Sequence, residues 1–454
     1  MNNNKGSFAT RPIGFNVHVY NVMGSMLELS MLYAFKAALD VMFLRFVLPF
    51  FSYQPHFGLY GPPDFSRLMI SYLLLPVLWL SIRPILASSG RPFSKVVIGT
   101  QFFVVVLPAF TIWVQEARPI SHLGLILLGF YALIAVVLLV PKVSFPPLGP
   151  SLIVPFLAVA ALAEIYVYAG LIAGGGLQRL NFNLLNVYKV RGMYLQHIFP
   201  LAGRLVPWIG NVFNPALFIY SLHTRRVVLG ILVLLLQLLL FSMTNFKSYL
   251  FMLLIIYVIW YTASKLEFSL AIVLGAVGSA LLTVPVIFLG NVFLVGSLFR
   301  RAYFVPPALQ GLYFDYFSRH AHAYMSGSTF GKFLELLGVQ LPYASSPVQV
   351  VANAYWGGGI SPNVGWIGAA FSDLGIWGIV LTAVLLGLVV AMGDSFSRLY
   401  HTRGFIEAMA FSFAFSLTNS AFMTALFTHG GFMSLFVLWV VQSITRRRER
   451  RVDE

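Results

Sequence analysis

Arg191, Lys247, Arg300, Arg301 and Arg319 are the side chains of this sequence best suited to hold a multiply charged anion. A guanidinium donates two parallel N–H bonds to phosphate oxygens, and an ammonium adds a point charge. At a low-dielectric boundary such a group binds a pyrophosphate and neutralises it as a leaving group, the role Mg²⁺ fills in other enzymes. Arg191 lies in Tyr188-Lys189-Val190-Arg191-Gly192-Met193-Tyr194, whose aromatic rims suit sugar stacking; the same residues also fit an interfacial belt of Tyr and Arg. Lys247 sits in Thr244-Asn245-Phe246-Lys247-Ser248, the one polar break in the apolar run 227–263. An ammonium at membrane depth is a functional candidate, unless it snorkels outward from a helix end. Arg300-Arg301 follow directly on an apolar run, where paired arginines serve either as an anchor or as a phosphate clamp.

The candidate proton acceptors are Asp315, His320, His322 and Asp373. In Arg319-His320-Ala321-His322 the two imidazoles share a face only on an extended chain. With no carboxylate ligand beside them, a zinc site is not expected. Asp373 lies about two turns inside an apolar run, where it serves either catalysis or helix packing. The segment leading to it, Asn353 through Ser361-Pro362-Asn363-Val364-Gly365, is glycine-rich enough for a tight return into the bilayer. Asn353, Asn363 and Tyr313 join Tyr188 and Tyr194 as candidate sugar contacts.

The elements that must position these residues are membrane spans. Of 454 residues, 59% are hydrophobic and 9% charged, far below the quarter or so of charged residues a soluble domain carries. Mean hydropathy is +0.84. Twelve apolar segments stand out: 27–50, 68–88, 96–115, 121–140, 151–172, 207–223, 227–244, 247–263, 268–295, 366–393, 405–426 and 429–444. The first holds Glu28, Lys36, Asp40 and Arg45, which lipid does not tolerate unless they face protein. The expected fold is an all-α polytopic membrane protein, a single integral membrane domain over 1–454, with two large loops at 173–206 and 296–365. Amphipathic stretches in these loops, such as 309–317, are expected to lie at the interface or cap the bundle. The first 26 residues are too polar for a signal peptide, and no repeat or low-complexity tract is seen. Cysteine is absent, which removes disulfides, thiolate metal sites and a cysteine nucleophile.

The tail Arg446-Arg447-Arg448-Glu449-Arg450-Arg451 places the carboxyl terminus in the cytoplasm by the positive-inside rule. Alternation then puts Arg398/Arg403, Lys265, Arg225/Arg226, Lys142, Arg83/Arg91/Lys95 and the amino-terminal Lys5 and Arg11 on the same side. The outer side receives Arg67, Arg118, Arg179, Lys189, Arg191, Arg204, Lys247, Arg300, Arg301, Arg319 and Lys332, against only Asp64, Glu116, Asp315 and Glu335. This surplus opposes the topology rule; either an anionic ligand at the outer leaflet or contacts with ordinary anionic lipid headgroups and helix ends accounts for it.

These features resemble the Wzy family of O-antigen and related oligosaccharide repeat-unit polymerases. The likeness rests on the span pattern, on Asn353…Ser361-Pro362-Asn363-Val364-Gly365…Phe371-Ser372-Asp373-Leu374-Gly375-Ile376-Trp377-Gly378, and on Thr244-Asn245-Phe246-Lys247-Ser248. The last carries lysine where that family frequently has arginine. The resemblance implies a GT-C type membrane glycosyltransferase in a bacterial inner membrane, with both termini cytoplasmic and the active site facing the periplasm. It implies a growing glycan moved from undecaprenyl pyrophosphate onto a lipid-linked repeat unit, without metal or other cofactor. The implied partners are that lipid-linked oligosaccharide, the bilayer and a chain-length regulator, with no nucleic acid. An O-antigen ligase, which uses lipid A core as acceptor, and a lipid-linked oligosaccharide flippase are the rival readings.

Overall fold

The computed structural model describes residues 14–58, 61–288, 296–396 and 403–453, and every regular element among them is helical. Lys5, Arg11, Arg398 and the stretch 289–295 closing the ninth expected span lie outside the described residues. In chain order the helices are α1 (Gly14–Met42), α2 (Phe65–Leu86), α3 (Pro92–Gln115), α4 (Ile120–Leu139), α5 (Pro150–Ala173) and α6 (Val187–Gln196). They continue with α7 (Ala202–His223), α8 (Val227–Thr244), α9 (Lys247–Lys265), α10 (Phe268–Phe288) and α11 (Val305–Arg319). The last five are α12 (Thr329–Leu336), α13 (Pro347–Trp356), α14 (Trp366–Ser395), α15 (Arg403–Asn419) and α16 (Gly431–Asp453).

Each apolar segment of the sequence coincides with one of these helices. Seven of them (α2, α3, α4, α5, α7, α8 and α14) are long and apolar enough to cross a membrane. The side of α5 that faces away from the bundle exposes Leu152, Val154, Leu157, Val159, Leu162 and Ile165, an unbroken apolar face suited to lipid. Several boundaries differ from expectation: α1 begins at Gly14 rather than 27, and α16 runs on to Asp453 rather than 444. α7 begins at Ala202 rather than 207, and α15 ends at Asn419, after which a separate π-helical turn spans Thr424–Thr428.

α3 is the centre of the bundle, with 94% of its apolar window buried against 17% for α5. Its first turn would leave orphan N–H groups inside protein. Asp394, at the end of α14, accepts from the Phe93 and Ser94 amides at 2.9 and 3.0 Å and from the Ser94 hydroxyl. The next residue, Lys95, pairs with Glu407 of α15 at 2.7 Å, both side chains fully buried. Small residues let α14 lie close along α4: a Cβ at Gly129 would meet Ile367 at 3.0 Å, and one at Gly387 would meet Val136 at 2.5 Å.

Three of the four charges of the first apolar segment, Glu28, Lys36 and Asp40, face protein, whereas Arg45 is exposed. Lys36 bonds Asp40 at 2.5 Å, and the Tyr72 hydroxyl of α2 donates to Asp40 at 3.0 Å. Glu28 accepts from Arg83 at 2.7 Å and from Ser269 of α10 at 2.6 Å. α1 is thereby tied to both neighbours by polar bonds that lipid could not replace.

The large loops hold their own helices, but the stretch 309–317 is not interfacial. Leu312, Tyr313, Phe314 and Phe317 of α11 are buried to 1% exposure or less, packed on α14. The aromatic content that suggested a membrane-surface helix serves the core instead.

α14 is kinked at Leu374 (φ −141°, ψ 19°) and Gly375 (φ 60°, ψ −141°), conformations outside a helix. The second is open essentially to glycine alone. The freed turn grips the loop before α12: Ser372 and Asp373 carbonyls accept from the Ala323 and Tyr324 amides, and the Asp373 carboxylate from Met325 N at 2.9 Å. A Cβ on Gly375 would sit 2.8 Å from His322 Nε2. Gly375→Ala is therefore expected to destabilise the fold by about 2 kcal/mol, read as a lowered midpoint of thermal unfolding in detergent. Adding His322→Ala should return only the steric part, because the backbone strain persists.

Candidate anion-binding site

α8 ends where Asn245 turns left-handed (φ 54°, ψ 33°), a conformation asparagine tolerates. Its amide donates back to the Ser242 carbonyl at 2.8 Å and its side-chain oxygen accepts from Asn181 at 2.6 Å, which fixes the turn. The turn presents the Asn245 carbonyl to Arg191 Nη2 at 3.0 Å and sets the Phe246 ring 4.6 Å from the Arg191 guanidinium. Tyr188, on α6 with Arg191, lies 5.5 Å from that guanidinium and 5.3 Å from Lys247 Nζ. Arg300 belongs to the π-helical segment Gly296–Phe304 and stacks on Phe51 at 4.2 Å. Arg301 is within electrostatic reach of Arg191, Lys247 and Arg300. Residues from four separate parts of the chain thus form one basic cluster.

Six ion pairs form among the described residues, and none includes Arg191, Arg300 or Arg301. Burial pushes the Arg191 and Arg300 pKa values below the ordinary guanidinium value, and the Arg301 charge adds to both shifts. The Nε atoms of Arg191 and Arg300 are buried without a hydrogen-bond partner among the described residues. Aromatic faces rather than carboxylates support these cations, each contact contributing about 0.5–2 kcal/mol. Among the described residues, no carboxylate pairs with Arg191, Arg300 or Arg301.

Other basic residues that the sequence assigned to the same side are committed to structure. Arg118 is 3% exposed; it pairs with Glu116 at 2.7 Å and donates to the His56 and Ala308 carbonyls at 2.6 and 3.1 Å. Arg67 bonds Asp64 and the Arg118 carbonyl, and Arg179 donates to the Met243 and Gly174 carbonyls. Arg67, Arg118 and Arg179 thus clamp backbone, whereas Arg191, Arg300 and Arg301 pair with no carboxylate among the described residues.

His56, which sequence patterns do not single out, adjoins this cluster. It is buried, its ring 4.4 Å from Phe57 and 5.9 Å from Trp356. Burial, together with Arg300, Arg118 and Arg301, pushes its pKa down to about 3. A depressed histidine contributes stability that is complete above the unfolded pKa of 6.5 and is lost as pH falls toward the folded value. Lowering the pH from 7.5 to 5 should therefore cost about 2 kcal/mol through this residue. Chemical denaturation at the two pH values checks this, and His56→Phe should flatten the difference.

A second polar group lies beyond Trp356. The ring of its neighbour Tyr355 is 6.5 Å from that of Tyr316, and Tyr355 is within electrostatic reach of Asp315 and Arg319. Asp315 meets His122 Nε2 at 3.1 Å, a contact between residues 193 positions apart that no local pattern reveals. Gly311 leaves the space that Arg118 and His122 occupy: a Cβ there would strike Arg118 and meet His122 at 3.2 Å.

The structure sorts the expected site residues. Arg191, Lys247, Arg300, Arg301 and Tyr188 come together. Arg319 is exposed at the end of α11, outside that cluster. His320 stacks on Tyr316 at 4.2 Å and donates Nδ1–H to the Tyr316 carbonyl, with its ring otherwise exposed. His322 packs against Phe371, and Asp373 holds the Met325 amide, so both brace the α14 kink. Tyr194 and Tyr313 are 3% and 0% exposed, and Tyr313 donates to the Pro362 carbonyl at 3.0 Å. Neither offers a ring face to a sugar, so these two expected sugar contacts become core residues. Asn353 and Asn363 remain exposed. Among the described residues no group of three His, Asp or Glu side chains is placed to hold a metal ion.

No family model matches the chain, and neither a curated protein nor a solved structure matches it.

Proposed function

We propose that the chain is a membrane glycosyltransferase that extends a glycan carried on a polyprenyl pyrophosphate, as the resemblance to Wzy-type polymerases implies. The observation that supports it most is the cluster of Arg191, Lys247, Arg300 and Arg301, in which three arginines have no carboxylate partner among the described residues. A bound pyrophosphate would accept the buried N–H groups and neutralise the mutual repulsion, which is on the order of 1 kcal/mol per pair in partly hydrated surroundings. The same charges stabilise the pyrophosphate as it departs.

In this reading all twelve apolar helices span a bacterial inner membrane, both termini are cytoplasmic and the basic cluster faces the periplasm. The acceptor hydroxyl loses its proton to Asp315, which His122 holds in place at 3.1 Å. The new glycosidic bond forms as the bond from the donor sugar to pyrophosphate breaks. Tyr188, 51% exposed beside two of the cations, is the aromatic face open to a sugar. Asn353 and Asn363 line the exposed turn before α14.

The test is extension by the purified protein given a pyrophosphate-linked repeat unit, with products resolved by size. A ladder of lengthening glycans is expected, unchanged by EDTA because side chains supply the positive charge. Transfer only to lipid A core would point to a ligase. Passage of the intact lipid across a liposome bilayer without extension would point to a transporter and overturn the proposal.

A further inference from the structure

His56 presents a problem that the fold alone does not resolve. It is 6% exposed, and both ring nitrogens, Nδ1 and Nε2, are buried with no hydrogen-bond partner among the described residues. A neutral imidazole carries one donor and one acceptor, and leaving both unmet in a buried site costs roughly 1–3 kcal/mol for each. The surroundings do not relieve this cost. Phe57 and Trp356 flank the ring, and Arg118 bonds the His56 carbonyl rather than the imidazole. The charged groups around it are Arg118 from the turn before α4, Arg300 and Arg301 from the segment before α11, and Glu116, which pairs with Arg118 and accepts the Gly58 amide. The position therefore combines an unmet donor with a cation-rich wall, an arrangement that an anion completes.

We infer that His56 is part of the anion site, donating a ring N–H to a bound phosphate group and taking up a proton from solvent when that group is present. This inference rests on the reading of the basic cluster as a phosphate site. In the ligand-free protein burial, reinforced by the neighbouring arginines, keeps the imidazole neutral. A bound phosphate offsets their charge and accepts the new N–H, so both effects favour the imidazolium. By linkage, the protonated form then binds the anion more tightly, and affinity rises as pH falls through the shifted pKa. His56 is a positioning and binding residue in this account, distinct from Asp315, which receives the acceptor proton.

The experiment uses full-length protein in nanodiscs with ¹⁵N-labelled histidine and inorganic pyrophosphate as the probe. The His56 ring signal is assigned by its loss in His56→Gln. Without pyrophosphate the ring should stay neutral from pH 7.5 to 5. With pyrophosphate its protonation midpoint should rise from about 3 to above 5, and below that midpoint wild-type affinity should gain about tenfold per unit of pH over that of His56→Gln. Comparing the two proteins at each pH cancels the titration of pyrophosphate itself. Binding that depends on Arg191 but leaves the His56 ring neutral would overturn the inference while sparing the basic cluster. Absence of pyrophosphate binding in the wild type would overturn both.

Discussion

Arg300→Ala is expected to slow glycan extension by about two orders of magnitude, the usual cost of removing one preorganised charge from a leaving-group site. The guanidinium stacks on Phe51, is partly buried and has no acid partner among the described residues, so it makes no ion pair whose loss would unfold the protein. Its removal also relieves repulsion with Arg301, which should leave the unfolding midpoint unchanged or slightly raised. Arg300→Lys should recover charge but not two-point geometry, and an intermediate rate is expected. Lys332→Ala, on the exposed part of α12, serves as the comparison and should extend glycan at the wild-type rate. Initial rates of extension for the three variants, measured beside their unfolding midpoints, separate loss of charge stabilisation from loss of fold.

The largest effect on stability is expected at Lys95 and Glu407. Both are fully buried at 2.7 Å separation, with the Lys95 ammonium 4.9 Å from the Phe268 ring. Removing one partner of a buried ion pair leaves the other charge in a medium that cannot solvate it, at a cost of about 3–5 kcal/mol. Lys95→Met should therefore lower the unfolding midpoint sharply and reduce the yield of folded protein. Replacing both, as Lys95→Met with Glu407→Leu, should restore most of the loss, because two packed apolar side chains need no solvation. A double variant as unstable as Lys95→Met would mean that the pair's remaining contacts, rather than its charges, set the cost.

The apolar periodicity of the chain carries most of the helix positions, since a run of about 20 apolar residues has few alternatives to a helix. What it does not carry is the pairing that makes such runs tolerable. Glu28, Lys36 and Asp40 cast doubt on the first segment, and the doubt is resolved only by Arg83, Tyr72 and Ser269, which lie on other helices. The depth of α11 was equally hidden, because an aromatic-rich amphipathic stretch reads alike whether it meets lipid or core.

The site divides in the same way. Tyr188, Arg191 and Lys247 were legible because the turn at Asn245 and the helix carrying Arg191 are short local features. Arg300 and Arg301 were legible as an unusual outer pair. His56 and His122 were not, since the groups that act on them, the Arg300 charge and the Asp315 carboxylate, lie far away in sequence. Nor does sequence decide which tyrosines of a loop turn inward, and Tyr194 and Tyr313 do.

The central claim is that the basic cluster holds the pyrophosphate of a polyprenyl lipid. Its most direct test is the binding of undecaprenyl pyrophosphate and of undecaprenol to the intact protein, compared by native mass spectrometry with Arg191→Ala and Arg300→Ala. The account predicts that the wild type retains the pyrophosphate lipid at least tenfold more tightly than the alcohol, and that each variant loses most of that preference. Equal retention of the two lipids by the wild type, or a preference that survives both substitutions, would contradict it.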